Sequence, residues 1–368
     1  MPQIATGYSG GAHFPAGRVH RPAQRPAIVF VLRGNATAGP PRFARHNSGQ
    51  NSLNLPMTTF QAGILQAIPA IGRYVFFSIT PTALNEPALL RDCLQRLAPL
   101  VDGERVVAAL GEELVRALGA QVPGLRAFPE LSGPGVKAPA TPVALCLWLR
   151  GQDLGELLAP TRGLEKALAP AFKALRVVEA FRHGKGASGH GLDLTGYEDG
   201  TENPQEAAAE SAAFASGLGP GLDGSSFLAL QQWLHDFDAF EAMAEMEQDH
   251  SVGRRRSDNE ELDDAPESAH VKRTAQESFT PEAFMLRRSM PWALHTPSGD
   301  KAGLMFAAFA GSFYAFEAQM RRMLGQEDGI VDAMLRFSQP VTGAYLWCPP
   351  MRAGRLDLRA LAATDMPT

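Results

Sequence analysis

RYVFFSIT, residues Arg73 to Thr80, is the stretch from which the fold is read. Aromatic and β-branched residues crowd into eight positions, a composition that fits a pleated, buried strand. Downstream, Glu86 to Leu100 carries Leu89, Leu90, Cys93, Leu94 and Leu97 at helical spacing and reads as an amphipathic helix. Arg105 to Leu110 is a short strand and Glu112 to Leu118 a second helix. The Pro- and Gly-rich piece from Val122 to Pro142 reads as a loop, after which VALCLWLRG (Val143 to Gly151) and Lys173 to Phe181 are strands. Strand, helix, strand, taken twice in one unit, predicts an α+β sandwich of ferredoxin-like type.

Upstream of this unit the pattern stops. Residues 1–56 are Pro, Gly, Ser, Asn and Arg without sustained periodicity, and only AIVFVL (Ala27 to Leu32) could form a short strand. They hold six arginines and no Asp, Glu or Lys, as an organelle transit peptide can. The plainer expectation is that the chain proper starts at Met57, after a disordered or misannotated extension. Residues 57–190 then form the first half and 191–368 the second. The connector HGKGASGHG (His183 to Gly191) lacks the spacing of a phosphate loop and reads as flexible. Beyond it, Ser225 to Trp233, Gly303 to Gly311 and Val341 to Cys348 are strands, while Asp238 to Met246 starts one helix and Phe313 to Leu324 is another.

A chain of 368 residues can form one large or two ordinary domains. Its 45% hydrophobic share suits a sizeable core. No run approaches the ~18 apolar residues of a membrane helix, so the chain reads as soluble. Cys93, Cys146 and Cys348 are far apart, which fits a reducing compartment and argues against a disulfide framework or structural zinc. Outside the Arg-rich start, 28 basic residues face 39 acidic ones. A body that acidic is a poor nucleic-acid binder.

Two segments remain that could carry chemistry: GYEDGTENP (Gly196 to Pro204) and HVKRTAQESFTPEAFMLRRSMP (His270 to Pro291). Read singly, each is ordinary. Asp-Gly and Asn-Pro mark turns, and a lone histidine is more often a surface or satisfied core residue than a ligand. Together they resemble the dye-decolorizing peroxidase family of haem enzymes. Gly196, Asp199 and Gly200 match its GxxDG motif, His270 follows at the spacing of its iron-ligating histidine, and Arg287, Ser289, Met290 and Pro291 match its R-x-[NS]-M-P context.

The resemblance spans roughly residues 60–350 and implies a tandem pair of ferredoxin-like units, with one haem b per chain in the C-terminal half. His270 would bind the iron, its second ring nitrogen held by Asp332 from IVDAMLRFS, because such ligands need an acceptor that fixes the tautomer. Arg336 stands where the family often carries a further acid. Asp199 would relay the proton that peroxide cleavage moves between oxygens, with Gly200 allowing close backbone approach to a flat cofactor. Arg287 would stabilise charge on the departing oxygen. Ser289 would hydrogen-bond the peroxide or its water, while Arg288 would face away or bind a carboxylate. Arg254, the first of three consecutive arginines, would pair with a haem propionate, and a solvated charge run is the alternative. Leu304 and Phe306 would line the distal pocket or simply pack the core. Tyr345, Trp347, Trp292 and Tyr197 could relay electrons from the surface, although aromatics at strand positions are usually core.

The function that follows is a haem peroxidase of the bacterial intracellular branch, cytoplasmic and homo-oligomeric (dimer or larger). It would use hydrogen peroxide to oxidise phenolic or dye-like one-electron donors, with no nucleic acid or membrane as partner. The rivals are a haem-handling or iron-releasing protein, which would need neither Asp199 nor Arg287, and a non-haem ferredoxin-like binding module.

Overall fold

The computed structural model of the chain describes residues 59–362; the extension up to Met57 and its AIVFVL segment lie outside the described residues. The first half runs β1 (Ile71–Ile79), α1 (Pro87–Leu97), β2 (Val106–Gly111), α2 (Glu112–Ala117), β3 (Leu131–Gly133), β4 (Val136–Ala138), β5 (Leu145–Gly151), α3 (Leu154–Leu168) and β6 (Phe172–Phe181). Four of these strands form an antiparallel sheet in the order β2-β5-β1-β6. That order is the ferredoxin-like one. α1 begins with Pro87, whose fixed φ suits a first helical turn, and buries Leu90, Cys93, Leu94 and Leu97. α3, for which the sequence reading set no bounds, is capped by Asp153, whose carboxylate accepts the Glu156 amide at 3.0 Å.

The second half runs α4 (Glu206–Ala213), β7 (Ser226–His235), α5 (Phe237–Glu241), α6 (Glu245–Val252), α7 (His270–Arg273), β8 (Leu286–Arg287), β9 (Met290–Thr296), β10 (Gly299–Ala310), α8 (Tyr314–Met323), β11 (Ser338–Pro340) and β12 (Ala344–Cys348). Its sheet has the order β12-β7-β10-β9, the same permutation as the first. The halves join at both edges. Leu346 and Trp347 of β12 pair with Gly111 and Leu110 of β2, and Ala180 of β6 pairs with Trp292 of β9. Eight strands therefore close into a ring, which removes the free edges that two open sheets would present.

Strand alternation sorts the side chains into two cores. Met305, Ala307 and Phe309 of β10 point into the ring with Tyr74, Phe76, Trp148 and Leu228. Leu304 and Phe306 point the other way and pack with the core that contains Phe316 and Met320 of α8. The outer face of the second sheet and α8 thereby become two walls of a space, which holds the site.

Three local expectations needed correction. The loop over Val122 to Pro142 contains the β3–β4 hairpin, whose strands of three residues are too short to show a period. It is tied to the second half by Gln326, whose Nε2 donates to the Ser132 carbonyl at 2.7 Å. β9 escaped notice because Pro291 lies inside it, and proline demotes a run read as a strand. The helix over Asp238 to Met246 is two, α5 capped by Asp236 and α6 starting at Glu245. Tyr197, Trp292, Tyr345 and Trp347 are all at most 5% exposed, so the core reading is the one their burial supports.

Candidate active site

Between the outer face of β7 and β10, helices α7 and α8, and the loop before α4 lies a cavity of about 1460 Å³, mouth included. Its walls bring together His270, Asp199, Gly200, Arg287, Arg254, Leu304 and Phe306 from segments scattered over more than a hundred residues. Phe316, Met320, Met323 and Met334 complete an apolar lining.

His270 is the first residue of α7. Its Nδ1 lies 2.8 Å from Oδ2 of Asp332, whose side chain is fully buried. Asp332 is itself fixed: Oδ1 accepts the Met334 amide at 2.9 Å, and its own amide donates to the Met323 carbonyl at 2.8 Å. The imidazole is thus held by one nitrogen, while Nε2 makes no hydrogen bond with any described residue. α7 is anchored from below by Arg273, only 4% exposed, which grips Asp328 through both terminal nitrogens at 2.7 and 2.8 Å. Arg336, where a further acid was the family expectation, pairs with Glu247 away from the cavity wall.

Asp199 sits on a tight hairpin in which Leu192 pairs with Glu198 and the Asp199 amide donates to the Gly191 carbonyl at 2.9 Å. Two clasps set the position of this hairpin. The segment read as a flexible connector folds over it: Ser188 donates from its amide to Glu198 Oε1 at 2.8 Å and from its hydroxyl to Oε2, and the His190 amide reaches Oε2 at 3.3 Å. A Cβ on Gly186 would lie 2.2 Å from the Glu198 carboxylate, so a larger residue there would force that side chain to move. On the other side Asn203, read from sequence as a turn residue, bonds the backbone of Arg287 in both directions, at 2.7 and 3.1 Å. Gly200, at φ +85°, makes the turn that brings Asn203 back. Gln276 adds a third tie, donating to the Glu202 carbonyl at 2.7 Å. No sequence signal distinguished Asn203, Gln276 or Glu198 from ordinary polar loop residues.

Burial pushes the Asp199 carboxyl above the ordinary carboxylate range; Arg287 opposes the rise, Asp193 adds to it, and His270 and the Gly200 amide oppose it. Arg287 leaves the short strand β8 toward the cavity. Burial lowers its pKa, against the opposing charges of Asp199 and Glu202, and its guanidinium makes no hydrogen bond or ion pair with any described residue. A buried cation without a fixed partner is costly unless a ligand shares its space.

The other candidates fall out differently. Arg254 lines the rim, where its guanidinium already meets Glu202 at 2.6 Å, Glu261 at 3.1 Å and the Asn259 carbonyl at 2.9 Å. Ser289 is 3% exposed and lies outside the cavity wall; its hydroxyl has no partner among the described residues. It lies in the two-residue link between β8 and β9, outside either strand. Arg288 binds no carboxylate among the described residues. It donates to the carbonyls of Ile64 and Leu65 at 2.9 and 2.8 Å, tying the second half to the start of the first.

The donor set fits a planar, anionic, iron-bearing macrocycle. An imidazole with one open nitrogen, an acid and a guanidinium line one cavity, the other walls are apolar, and a basic residue sits at the rim.

Comparison with known proteins gives the same answer. A family model described as Dyp-type peroxidase, C-terminal, matches residues 190–353. A dye-decolorizing peroxidase of Mycolicibacterium paratuberculosis is 31% identical over 249 residues, covering 66% of this chain and 68% of the relative. That of Mycobacterium tuberculosis is 28% identical over 307 residues, covering 77% of this chain and 90% of the relative. Among solved structures, the dye-decolorizing protein from V. cholerae superposes with a TM-score of 0.67 at 26% identity, over 78% of this chain and 96% of the other. DyPB from Rhodococcus jostii RHA1 superposes with a TM-score of 0.67 at 25% identity, over 78% and 95%. A variant of the Rhodococcus protein was solved in complex with heme. With this fold, this cavity and these relatives, the chain belongs to the Dyp-type peroxidase family.

Proposed function

We propose that this chain binds one haem b through His270 and uses hydrogen peroxide to oxidise small phenolic or dye-like donors. The observation that carries the reading is the set of groups lining one cavity: an imidazole fixed by Asp332 with Nε2 open, the Asp199 carboxylate, and an Arg287 guanidinium with no partner among the described residues. A bound haem supplies the redox iron at which peroxide is reduced. Overall, one hydrogen peroxide takes two electrons and two protons from two one-electron donors and leaves as two waters.

The residues divide the remaining work. Asp332 accepts from Nδ1 and so keeps Nε2 unprotonated for metal, raising its donor strength. Asp199, as a carboxylate, takes a proton from one peroxide oxygen and returns it to the other. Arg287 stabilises the negative charge that develops as the O–O bond lengthens. Leu304 and Phe306 keep bulk water from the reacting oxygens, and Arg254 offers a cation to haem carboxylates in exchange for Glu202 or Glu261. Ser289 is left out of this scheme because it does not reach the cavity.

A haem carrier would have no use for Asp199 and Arg287 held apart by dedicated clasps, which favours the enzyme over that rival. The bacterial intracellular branch, the cytoplasm and a homo-oligomer complete the reading. Three free, buried cysteines are compatible with a reducing compartment, and exposed Leu175 and Val177 on β6 offer apolar surface to a second copy. The test is an absorption spectrum of the purified protein followed by peroxide turnover with a phenolic donor. A Soret band and turnover that falls in variants of Asp199 and Arg287 are expected. A haem-bound protein whose turnover ignores both residues would instead be a carrier.

A further inference from the structure

A second histidine–carboxylate pair lines the same cavity and has no part in the scheme above. His235, at the end of β7, places Nε2 3.1 Å from Oδ1 of Asp193 and Nδ1 2.7 Å from the Ser338 hydroxyl of β11. Its side chain is 5% exposed and that of Asp193 15%. Oδ2 of Asp193 accepts from the Thr195 amide at 2.9 Å and from its hydroxyl at 2.6 Å. Every polar atom of the pair is matched. The Ser338 hydroxyl can donate to a neutral imidazole or accept from a charged one, so both protonation states of His235 are accommodated without rearrangement.

The pair belongs to the hairpin that carries Asp199. The Asp193 amide donates to the Tyr197 carbonyl at 2.8 Å, Leu192 bridges Glu198, and the Asp199 amide bonds Gly191. Alternation along this ribbon puts Asp193 and Asp199 on one face and Glu198 on the other, where the glycine-rich segment holds it. Asp193 therefore shares a face of the hairpin with Asp199 and is the carboxylate whose charge acts on it, and the side chain that bonds Asp193 from the sheet is a histidine.

We propose that Asp193 and His235 form a charge pair that positions the Asp199 hairpin and sets how readily Asp199 takes up its proton. The groups facing Asp199 are Asp193 from its own hairpin, Arg287 from β8 and His270 from α7. Thr195 and Ser338 face the pair itself, and Glu202 stands beyond Arg287. An uncompensated Asp193 opposes ionisation of Asp199, while a charged His235 cancels that opposition. His235 and Asp193 are positioning residues in this account, since neither is assigned contact with the reacting oxygens. The inference rests on the proposed role of Asp199.

The test is an infrared pH titration of the resting haem-loaded protein, following the protonated-carboxyl band that Asp199→Asn removes. His235→Gln keeps a hydrogen-bond donor for Asp193 but no titrating charge, and should move the Asp199 transition to higher pH. Asp193→Asn removes the negative charge and should move it to lower pH. The acid limb of peroxide turnover should follow in the same two directions. Shifts of equal sign in both variants, or none in either, would overturn the proposal, because loss of packing alone has no reason to act in opposite directions. The band reads Asp199 without turnover, so opposite shifts in a protein inactive with peroxide would uphold the pair while refuting the peroxidase reading.

Discussion

The Asn203 carboxamide holds the backbone of Arg287 on both sides, accepting its amide at 2.7 Å and donating to its carbonyl at 3.1 Å. One side chain thus sets the distance between the two segments that carry Asp199 and Arg287. Asn203→Ala would leave the Arg287 amide without this acceptor, at a cost of about 1–3 kcal/mol for a buried group left unsatisfied, while the Arg287 carbonyl keeps Arg288 Nη1 at 3.1 Å. The expected result is a lower denaturation midpoint together with slower reaction with peroxide. Asn203→Asp, which keeps the acceptor only, should fall between. A variant with wild-type stability and wild-type peroxide rate would remove Asn203 from the site.

His270→Ala should lose most bound haem, and Asp332→Asn should keep the ligand but bind haem more weakly, by roughly 10- to 100-fold. Haem content after gel filtration checks both. Full occupancy with an unchanged spectrum in His270→Ala would assign the iron to another residue.

The two distal variants should separate by pH. Asp199 works as the carboxylate, and burial raises its pKa, so activity should climb with pH through a point above the ordinary carboxylate range. Asp199→Asn should erase that climb while retaining haem. Arg287→Leu removes a stabiliser of the breaking bond, a loss of about 10²–10³ in rate for one such donor, at every pH. At neutral pH its loss should exceed that of Asp199→Asn. Stopped-flow mixing with peroxide ranks them, and a collapsed Asp199→Asn beside a near-normal Arg287→Leu would exchange the roles.

The anchor under α7 should show in stability. Hydrogen bonding to Arg273 holds Asp328 down at about 2. Because the folded value lies below the unfolded one of about 3.9, the contribution is present above that value and is lost as the pH falls toward 2. Asp328→Asn should therefore lower the denaturation midpoint at pH 7, with the gap to wild type narrowing at pH 3. A gap independent of pH would mean that the side chain acts by packing.

Much of the framework was legible along the chain. RYVFFSIT, VALCLWLRG and GLMFAAFAG are central strands because their period and composition suit burial on both faces, and α1 shows its apolar stripe directly. These are local properties, and local sequence encodes them. β9 and the β3–β4 hairpin were not legible, since Pro291 masks the one and the other is stabilised by contacts with residues nearly two hundred positions away.

For the site, sequence alone determined which residue types were available: a histidine, an acid in a GxxDG turn and an arginine in R-x-S-M-P, with the order and spacing of a known family. Tertiary structure decided which of them face one another. Asp332 lies sixty-two positions from His270 and meets it only because the segment after α8 returns beneath α7. Ser289, two positions after Arg287 in the chain, is buried in the link between β8 and β9 and does not line the cavity. The connector His183 to Gly191 has no period of its own and becomes a clasp once Glu198 gives its amides an acceptor. Hydrogen bonds between distant segments depend on distance in space, which a linear pattern does not contain.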